Sequence, residues 1–313
     1  MLEPKPFLRW VGGKGWIAPL IKRISEVSEH SIYIEPFLGS GAIFFSLRPS
    51  RAILCDVNKE LISAFEVVVE NPEIVFTRLS RMPISATDYY LVRESKPRSK
   101  MGIALRFLYL NRLAYGGIYR VNKDGMFNVP YGKKFSFGDV ISRSNLCSSR
   151  DILRAAIIRS QDFRATLSKV PRSSLIYVDP VYTSGKSERF DRYTKESFSM
   201  SDHQDLANLV TAAVLEKNAT AIVSLPYDIN FSTLYIGGLW VGLQRGNKFG
   251  IRKEKNMPYM ELIWIGSAFE SNSDLLRIIR SFKSKADLKI LGFTSKMLSE
   301  RTLQSWRSRA NTL

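Results

Sequence analysis

The sequence is poor in cysteine and has no long apolar run. Its 313 residues contain two cysteines, Cys55 and Cys147. Two are too few for a disulfide framework or a structural zinc site, so we predict ordinary buried thiols. No segment reaches the roughly 18 apolar residues of a membrane-spanning helix. Residues 1–5 hold no apolar signal core, so we expect a cytoplasmic protein without membrane contact.

Acidic residues are also scarce. Asp and Glu number 29 against 46 Lys and Arg, which gives a net charge of +17 and an isoelectric point of about 9.9. Values above about 9 are typical of nucleic-acid-binding domains, because each neutralised phosphate releases condensed counterions. The charge therefore favours a polyanionic partner over the alternative, a merely basic protein.

Short apolar runs alternate with helical patterns along much of the chain. The runs predict strands at 31–37, 52–55, 175–178, 220–224, 240–244 and 261–265. Helical periodicity at 17–27, 61–69 and 202–215 separates several of them. This alternation predicts an α/β fold, a sheet with helices on both faces.

Two stretches depart from this alternation. Residues 57–147 contain a helical pattern at 104–110 and then a segment rich in Gly, Asn, Tyr, Arg and Lys, which predicts a separate inserted module. Residues 271–313 form a basic tail with helical patterns at 275–282 and 296–307. We read the tail as a solvated helical extension, with a small DNA-binding helix pair as the alternative.

A glycine-rich turn follows the first predicted strand. Gly39-Ser40-Gly41 leads into a helical pattern at 42–47, an arrangement that lets a ligand approach the backbone closely. Asp56 ends the next strand, 17 residues after Gly39, where a carboxylate can accept hydrogen bonds from ribose hydroxyls. The alternative role for Asp56 is a helix N-cap, because a helical pattern follows it.

The tetrapeptide Asp179-Pro180-Val181-Tyr182 follows a strand-like run. It therefore lies at the carboxyl end of a strand, where open α/β sheets place their ligands. Asp-Pro also commonly initiates turns, and judged alone the tetrapeptide favours a strand-ending turn over a catalytic site.

Four motifs stand in a characteristic order. Residues 6–14 read Pro-Phe-Leu-Arg-Trp-Val-Gly-Gly-Lys, residues 35–41 read Glu-Pro-Phe-Leu-Gly-Ser-Gly, and residues 110–132 carry a Tyr-Gly-Gly-Ile-Tyr-Arg-Val-Asn block. The tetrapeptide follows, and Phe190, Tyr193, Phe198 and Asp202-His203 come after it. Together these motifs resemble the Dam-type family (D12 class, alpha group) of DNA adenine-N6 methyltransferases, from residue 6 to about 265.

The resemblance implies a fold and a division into domains. The fold would be α/β, a Rossmann-like class I methyltransferase sheet with an inserted, mainly helical target-recognition domain containing a β-hairpin. Residues 1–56 and 148–270 would form a discontinuous S-adenosylmethionine-binding catalytic domain. Residues 57–147 would form the target-recognition domain, and residues 271–313 a basic extension.

The resemblance also implies roles for individual residues. Catalysis would fall to the tetrapeptide Asp179, Pro180, Val181 and Tyr182. The cofactor, S-adenosylmethionine with S-adenosylhomocysteine as its product and no metal, would be held by Trp10, Lys14, Phe37, Gly39, Asp56, Asp162 and Phe163. DNA would be contacted by Arg9, Arg112, Tyr115, Ile118, Arg120, Asn122, Lys133 and Lys134.

Chemistry supports these roles. A carboxylate and a backbone carbonyl that each accept one adenine amino hydrogen would rehybridise the nitrogen for methyl transfer. Tyr182 offers a flat face to an extruded base. Arg120 can grip guanine bidentately, worth about 1–3 kcal/mol of discrimination. Tyr115 would stack beside the extruded base, although packing within the hairpin remains the alternative for Tyr115 and Tyr119.

Departures from the family pattern leave alternatives open. Val181 stands where the family usually has proline, Gly116 replaces a frequent asparagine, and Leu225-Pro226-Tyr227 replaces a Ser-Asn-His-like run. We therefore predict a site-specific methyltransferase acting on double-stranded DNA at a GATC-like or GAT-containing site, by base flipping and direct transfer. The alternatives are a DNA-binding protein with a degenerate site, or an RNA or protein methyltransferase. A cognate restriction endonuclease is a candidate partner, and we expect a monomer.

Overall fold

The computed structural model describes residues 3–132, 141–181, 198–245, 260–267, 273–282, 288–296 and 298–311. Within them the chain forms the strands β1 (Ile32–Glu35), β2 (Ala52–Asp56), β3 (Ala156–Ser160), β4 (Ser174–Val178), β5 (Thr220–Pro226), β6 (Leu239–Arg245), β7 (Met260–Gly266) and β8 (Leu288–Thr294). Short 3₁₀ helices occupy Lys14–Trp16 and Tyr115–Gly117.

The α-helices of the described residues lie between and around these strands. They are α1 (Ala18–Val27), α2 (Ala42–Leu47), α3 (Lys59–Glu70), α4 (Pro72–Ser80), α5 (Ala86–Glu94), α6 (Lys100–Leu113), α7 (Arg143–Leu153), α8 (Phe163–Leu167), α9 (Met200–Lys217), α10 (Ile229–Ser232), α11 (Ser273–Ser281) and α12 (Glu300–Asn311). Five of them, α3 to α7, follow one another between β2 and β3.

The eight strands make up a single sheet in the order β3-β2-β1-β4-β5-β7-β6-β8. Strand β3 pairs with β2 in parallel, and β4 pairs in parallel with both β1 and β5. Strands β7, β6 and β8 continue the sheet in antiparallel fashion. Every residue of β1 and β4 is buried, which is typical of the parallel strands of α/β proteins. The predicted α/β, Rossmann-like fold class is confirmed.

All six predicted strands are present, with ends that differ from the predictions by at most two residues. Strands β3 and β8 were not predicted. All five side chains of β3 are exposed or half-buried, and its short apolar run, residues 155–158, follows closely on the end of α7, so the pattern did not indicate a separate strand. Strand β8 lies in the tail, where the sequence indicated only helices.

The first of two compact units contains described residues 3–14, 35–132 and 141–163. In it α3 packs against α6 and α7, and α4 packs against α7. The side chain of Asn58 begins α3 by accepting the backbone N–H groups of Glu60 and Leu61, both at 3.1 Å. The ring of Phe7 packs against Phe65 with centroids 4.8 Å apart. The predicted division into catalytic and recognition domains stays a prediction.

The second unit contains described residues 15–34, 164–181 and 198–311, within the gaps given above. Helix α9 begins with a capping box between Ser199 and Asp202. His203 in its first turn is fully buried, edge-on to the rings of Phe198 and Phe231, each with its centroid 4.7 Å away. Burial lowers the pKa of His203 to about 4, against a weaker opposing effect of Asp202.

The tail is an integral part of this unit. Strand β8 has seven residues and pairs with β6 at six positions, although the sequence indicated a solvated helical extension. The indole of Trp306 in α12 lies directly against Gly242 of β6 and Gly292 of β8, where any side chain would overlap it. The hydroxyl of Tyr227 also donates to the carbonyl of Leu303 at 2.9 Å. The helix is therefore fixed to the sheet, and the prediction of a solvated extension is wrong for β8 and for the buried face of α12.

Two kinds of feature are absent from the described residues. No described helix is long and apolar enough to cross a membrane. No group of three or more histidine, cysteine or acidic side chains that could hold a metal ion occurs in the part of the chain that the structure describes.

Candidate active site and cofactor loop

The loop between β1 and α2 takes a shape that requires glycine. Gly39 has a φ of +49°, in the left-handed region that other residues rarely adopt. A Cβ added at Gly39 would lie 2.9 Å from Nε1 of Trp10, closer than atoms pack. The predicted cofactor residues Gly39 and Trp10 are therefore in direct contact, and the indole covers the backbone of the loop.

Asp56, at the end of β2, is hydrogen-bonded to the backbone of the same loop. Its Oδ2 accepts the backbone N–H of Gly39 at 3.0 Å, and its Oδ1 accepts the N–H of Asn58 at 2.9 Å. Burial of the carboxyl group raises the pKa of Asp56, although the N–H groups of Asn58, Gly39 and Val57 oppose that rise. Asn58 is the N-cap of α3, so Asp56 does not fill that alternative role.

Two of the predicted cofactor residues, Phe37 and Phe163, come together in the same unit. The rings of Phe37 and Phe163 stack with centroids 5.4 Å apart and planes 26° from parallel. Phe163 is buried and Phe37 is half-buried, whereas the neighbouring Asp162 is exposed. An exposed carboxylate beside a stacked aromatic pair offers both an acceptor for an amino group and a flat apolar surface.

The N-terminal segment is clamped to the end of α6. The backbone N–H of Arg9 donates to Oδ1 of Asn111 at 2.9 Å, and Nδ2 of Asn111 donates to the carbonyl of Arg9 at 2.6 Å. The guanidinium of Arg112 donates to the carbonyl of Phe7. Burial lowers the pKa of Arg112 to about 10. Arg112 thus supports the backbone, while its predicted DNA contact stays a prediction.

Arg9 and Lys14 belong to the N-terminal segment and bracket the residues 10–13. A Cβ added at Gly117 would lie 2.9 Å from the Cβ of Arg9, so Arg9 packs directly on the turn that follows α6. Lys14 is buried at 3% exposure and begins the first 3₁₀ helix. Lysine is rarely buried to this extent unless its ammonium group has a partner.

The recognition segment begins immediately after α6. Tyr115 is 63% exposed, which leaves its ring accessible for stacking. Nε of Arg120 donates to Oδ1 of Asn128 at 2.9 Å, across a short turn. In that turn, Oδ1 of Asn122 accepts the N–H groups of Asp124 (3.0 Å) and Met126 (2.9 Å). Asn122 therefore shapes the turn, and half-buried Ile118 and Arg120 lie on the chain leading into it.

The predicted tetrapeptide lies at the carboxyl edge of the parallel strands. Asp179 and Pro180 directly follow β4, whose residues Ile176 and Val178 pair with β1 and β5 respectively. The strand order reverses between β1 and β4, which is the place where open α/β sheets bind ligands. Pro180 is buried, and Asp179 and Val181 are half-buried. Tyr182, Lys133 and Lys134 lie outside the described residues.

The sequence analysis missed a buried polar pair beside this strand end. Val223 of β5 is paired with Val178, so Ser224 follows it as Asp179 follows Val178. The hydroxyl of Ser224 donates to the carboxylate of Glu261, a fully buried residue of β7. A glutamate next to the apolar run Leu-Ile-Trp-Ile is the signal that would have drawn attention to this pair, because an acid is rarely buried without a partner.

The predicted cofactor residues of the first unit fit a nucleoside. The loop carries no side chain at Gly39, the Phe37 ring offers a stacking face, and the carboxylate of Asp56 has acceptor capacity beyond the backbone N–H groups that it already accepts. A carboxylate in that position can accept sugar hydroxyls. The arrangement agrees with a cofactor that contains both a ribose and an aromatic base.

Known proteins point in the same direction. The sequence model of the D12 class N6 adenine-specific DNA methyltransferase family matches residues 10–239. The chain is 32% identical to the type II methyltransferase M.MjaIII of Methanocaldococcus jannaschii over 260 residues, which cover 75% of this chain and 89% of that protein.

Two further relatives extend this comparison. The chain is 29% identical to the DNA adenine methylase of Haemophilus influenzae over 282 residues, which cover 85% of this chain and 95% of that protein. It is 32% identical to the type II methyltransferase M1.LlaDCHI of Lactococcus lactis subsp. cremoris over 209 residues, 63% of this chain and 73% of that protein.

Proposed function

Because the chain belongs to the D12 class N6 adenine-specific DNA methyltransferase family, we propose that it transfers a methyl group from S-adenosylmethionine to adenine N6 at a specific site in double-stranded DNA. The observation that carries the proposal is the position of Asp179 and Pro180 at the carboxyl end of β4, where the strand order reverses.

The residues of the first unit would hold the cofactor. Asp56 would accept hydrogen bonds from the ribose hydroxyls, and Asp162 would accept one from the adenine amino group. Phe37 and Phe163 would support the adenine ring, and Trp10, Lys14 and Gly39 would complete the site. When bound, S-adenosylmethionine supplies an electrophilic methyl group. The raised pKa of Asp56 implies that cofactor affinity falls as the pH drops through that pKa, because a protonated carboxyl loses an acceptor.

Asp179 and Pro180 would prepare the target amino group. The conjugated N6 of adenine has little free electron density, so it is a poor nucleophile. The carboxylate of Asp179 would accept one amino hydrogen, and a backbone carbonyl beside Pro180 would accept the other. The nitrogen would then become tetrahedral, with its lone pair directed at the methyl group. The fixed φ of Pro180 would hold the carbonyl direction.

The recognition segment would read the DNA. Arg9, Tyr115, Ile118 and Arg120 are placed on or beside the chain that follows α6, and Asn122 shapes its turn. The family supports a GATC-like or GAT-containing site and extrusion of the target base from the duplex. The type II names of two relatives support partnership with a restriction endonuclease that cleaves the same motif when it is unmethylated.

Methylation-sensitive sequencing tests the proposal. DNA from cells that express the wild-type chain would be compared with DNA from cells that express Asp179→Ala. We expect N6-methyladenine in one short motif only with the wild type. No methyladenine with either protein, while the purified chain still binds DNA, would favour a DNA-binding protein with a degenerate site. Methyl transfer to RNA or protein instead of DNA would show that the chain is an RNA or protein methyltransferase.

A further inference from the structure

Trp10 is held between the cofactor loop and the recognition segment. On one side its indole lies against Gly39, where an added Cβ would be 2.9 Å from Nε1. On the other side it stacks on the ring of Tyr119, with centroids 5.6 Å apart and planes 21° from parallel. The indole therefore has no room to shift on one side without displacing its neighbour on the other.

Tyr119 is itself fixed within the first unit. Its ring is 7% exposed and packs against Phe107 and Phe127, with centroids 5.3 and 5.4 Å away. Its hydroxyl donates to Oε2 of Glu60 at 3.3 Å. The position of Tyr119 is thus set by helices α3 and α6, which carry Glu60 and Phe107.

The carboxylate that receives Tyr119 is anchored in turn. Oε1 of Glu60 accepts from Nη1 of Arg106 at 3.0 Å. The other guanidinium nitrogens of Arg106 donate to the carbonyls of Val92 at 3.2 Å and Arg93 at 2.6 Å. Arg106 is buried, so its hydrogen bonds are largely shielded from solvent, whereas the side chain of Glu60 is 34% exposed.

The neighbours of Tyr119 in sequence are the residues expected to read DNA. Burial alternates along 118–121: Tyr119 and Val121 are buried, whereas Ile118 and Arg120 are partly exposed. Ile118 has extended backbone angles, φ −75° and ψ 136°. In extended backbone, successive side chains point to opposite faces. Tyr119 thus faces Trp10 while Ile118 and Arg120 face outward, and one short segment carries both contacts.

We propose that Tyr119 is a positioning residue that couples cofactor binding to DNA binding. Its ring joins Trp10, which packs on the cofactor loop, to the extended segment that presents Ile118 and Arg120. Because the two rings are packed together, a shift of Trp10 when the cofactor binds would displace Tyr119 and the segment beside it, and DNA binding would act on Trp10 in the same way. This inference rests on the proposed function, because it takes the loop as the cofactor site and the segment as the DNA reader.

The test measures the coupling directly. The dissociation constant of S-adenosylhomocysteine is determined by calorimetry without and with a saturating duplex that carries the motif found by sequencing. We expect the wild type to bind about five-fold or more tightly with DNA, within the usual range of coupling between sites. The coupling ratio is the dissociation constant without DNA divided by the dissociation constant with DNA. Tyr119→Leu, which removes the ring, should bring this ratio close to one. Tyr119→Phe, which keeps the ring and loses the 3.3 Å contact, should retain most of it.

A matched control separates coupling from stability. Tyr109 is a buried tyrosine of the same unit whose hydroxyl donates to the carbonyl of Pro83 at 2.8 Å and whose ring stacks on Tyr89. Tyr109→Leu should lower stability but keep the wild-type ratio. If Tyr119→Leu does not fold, Tyr119→Met offers an unbranched, more adaptable side chain of about the same volume as leucine, without the ring, and should likewise lose the coupling.

The outcomes are distinguishable from failure of the proposed function. A wild-type ratio near one, or a full ratio in the folded Leu or Met variant of Tyr119, overturns the coupling role while cofactor binding stands. An equal loss in Tyr109→Leu also overturns it, because the effect is then one of stability. A wild-type chain that binds no S-adenosylhomocysteine refutes the proposed function, and the coupling role falls with it.

Discussion

Replacing Gly39 with alanine should weaken both the cofactor loop and cofactor binding. Two separate costs arise at this position. The φ of +49° places an alanine in the left-handed region, at about 1–2 kcal/mol. The added Cβ would also lie 2.9 Å from Nε1 of Trp10, and forcing extra volume into packed surroundings costs about 1–3 kcal/mol. The sum is about 2–5 kcal/mol.

The indole has no simple way to relieve the overlap. The ring of Tyr119 stacks on Trp10 and is itself fixed by Phe107 and Phe127. Either the loop shifts away from Asp56, which would break the 3.0 Å hydrogen bond to Gly39, or the stacked pair moves as a whole. Both responses distort the proposed cofactor site. We therefore expect affinity for S-adenosylmethionine to fall by about tenfold or more, equivalent to about 1.4 kcal/mol.

Two neighbouring glycines provide controls for the two costs. Gly12 has a φ of +82° but nothing within 4 Å of an added Cβ, so Gly12→Ala measures backbone strain alone. Gly15 has neither a positive φ nor a close neighbour, so Gly15→Ala should change the free energy of unfolding by less than about 0.5 kcal/mol. Urea denaturation and calorimetric titration of the three variants would be compared. If Gly39→Ala is no more destabilised than Gly12→Ala, the account of the Trp10 contact is wrong.

Three further changes test other parts of the structure. Val181→Pro should raise methyl-transfer turnover, because proline restores the restricted φ next to Pro180; no gain in a single-turnover assay would argue against this role. His203→Leu should reduce loss of stability in acid. The pKa of His203 is about 4 in the folded protein and about 6.5 in the unfolded chain, so the unfolded chain binds the proton more readily. The free energy of unfolding therefore falls as the pH drops from about 6.5 to about 4, by at most about 3 kcal/mol from this residue. An unchanged pH profile of unfolding in the variant would refute this. Trp306→Ala should lower the free energy of unfolding by about 3 kcal/mol, because the indole covers Gly242 and Gly292; a neutral effect would mean that the tail does not support the sheet.

The sequence predicted six of the eight described strands well, because those strands are short apolar runs bounded by turn residues. The prediction failed where the apolar run was short or interrupted by polar residues. Strand β3 is exposed along most of its length, and β8 carries Lys and Gly among its apolar residues. Both strands are defined by pairing with a neighbour distant in sequence rather than by local pattern.

Side-chain roles were harder to predict than strands. The motif residues Trp10, Gly39 and Asp56 do come together, but the sequence could not indicate that Tyr119 stacks on Trp10, because 108 intervening residues separate the two rings. Arg112 was expected only at DNA, and its hydrogen bond to Phe7 depends on how the N-terminal segment crosses α6. Contacts of this kind follow from tertiary packing, which residue spacing does not encode.

The most direct test of the central claim is a single-turnover methyl-transfer assay with Asp179→Asn. Asparagine keeps the size of the side chain but removes the carboxylate that we assign to the adenine amino group. The purified wild type and variant would be mixed with a labelled methyl donor and a duplex carrying the motif, with donor and DNA binding measured alongside. We expect binding within about threefold of the wild type and a loss of transfer of at least about a hundredfold, in line with removal of a positioned catalytic group. Transfer at the wild-type rate would contradict the assignment of the chemistry to Asp179.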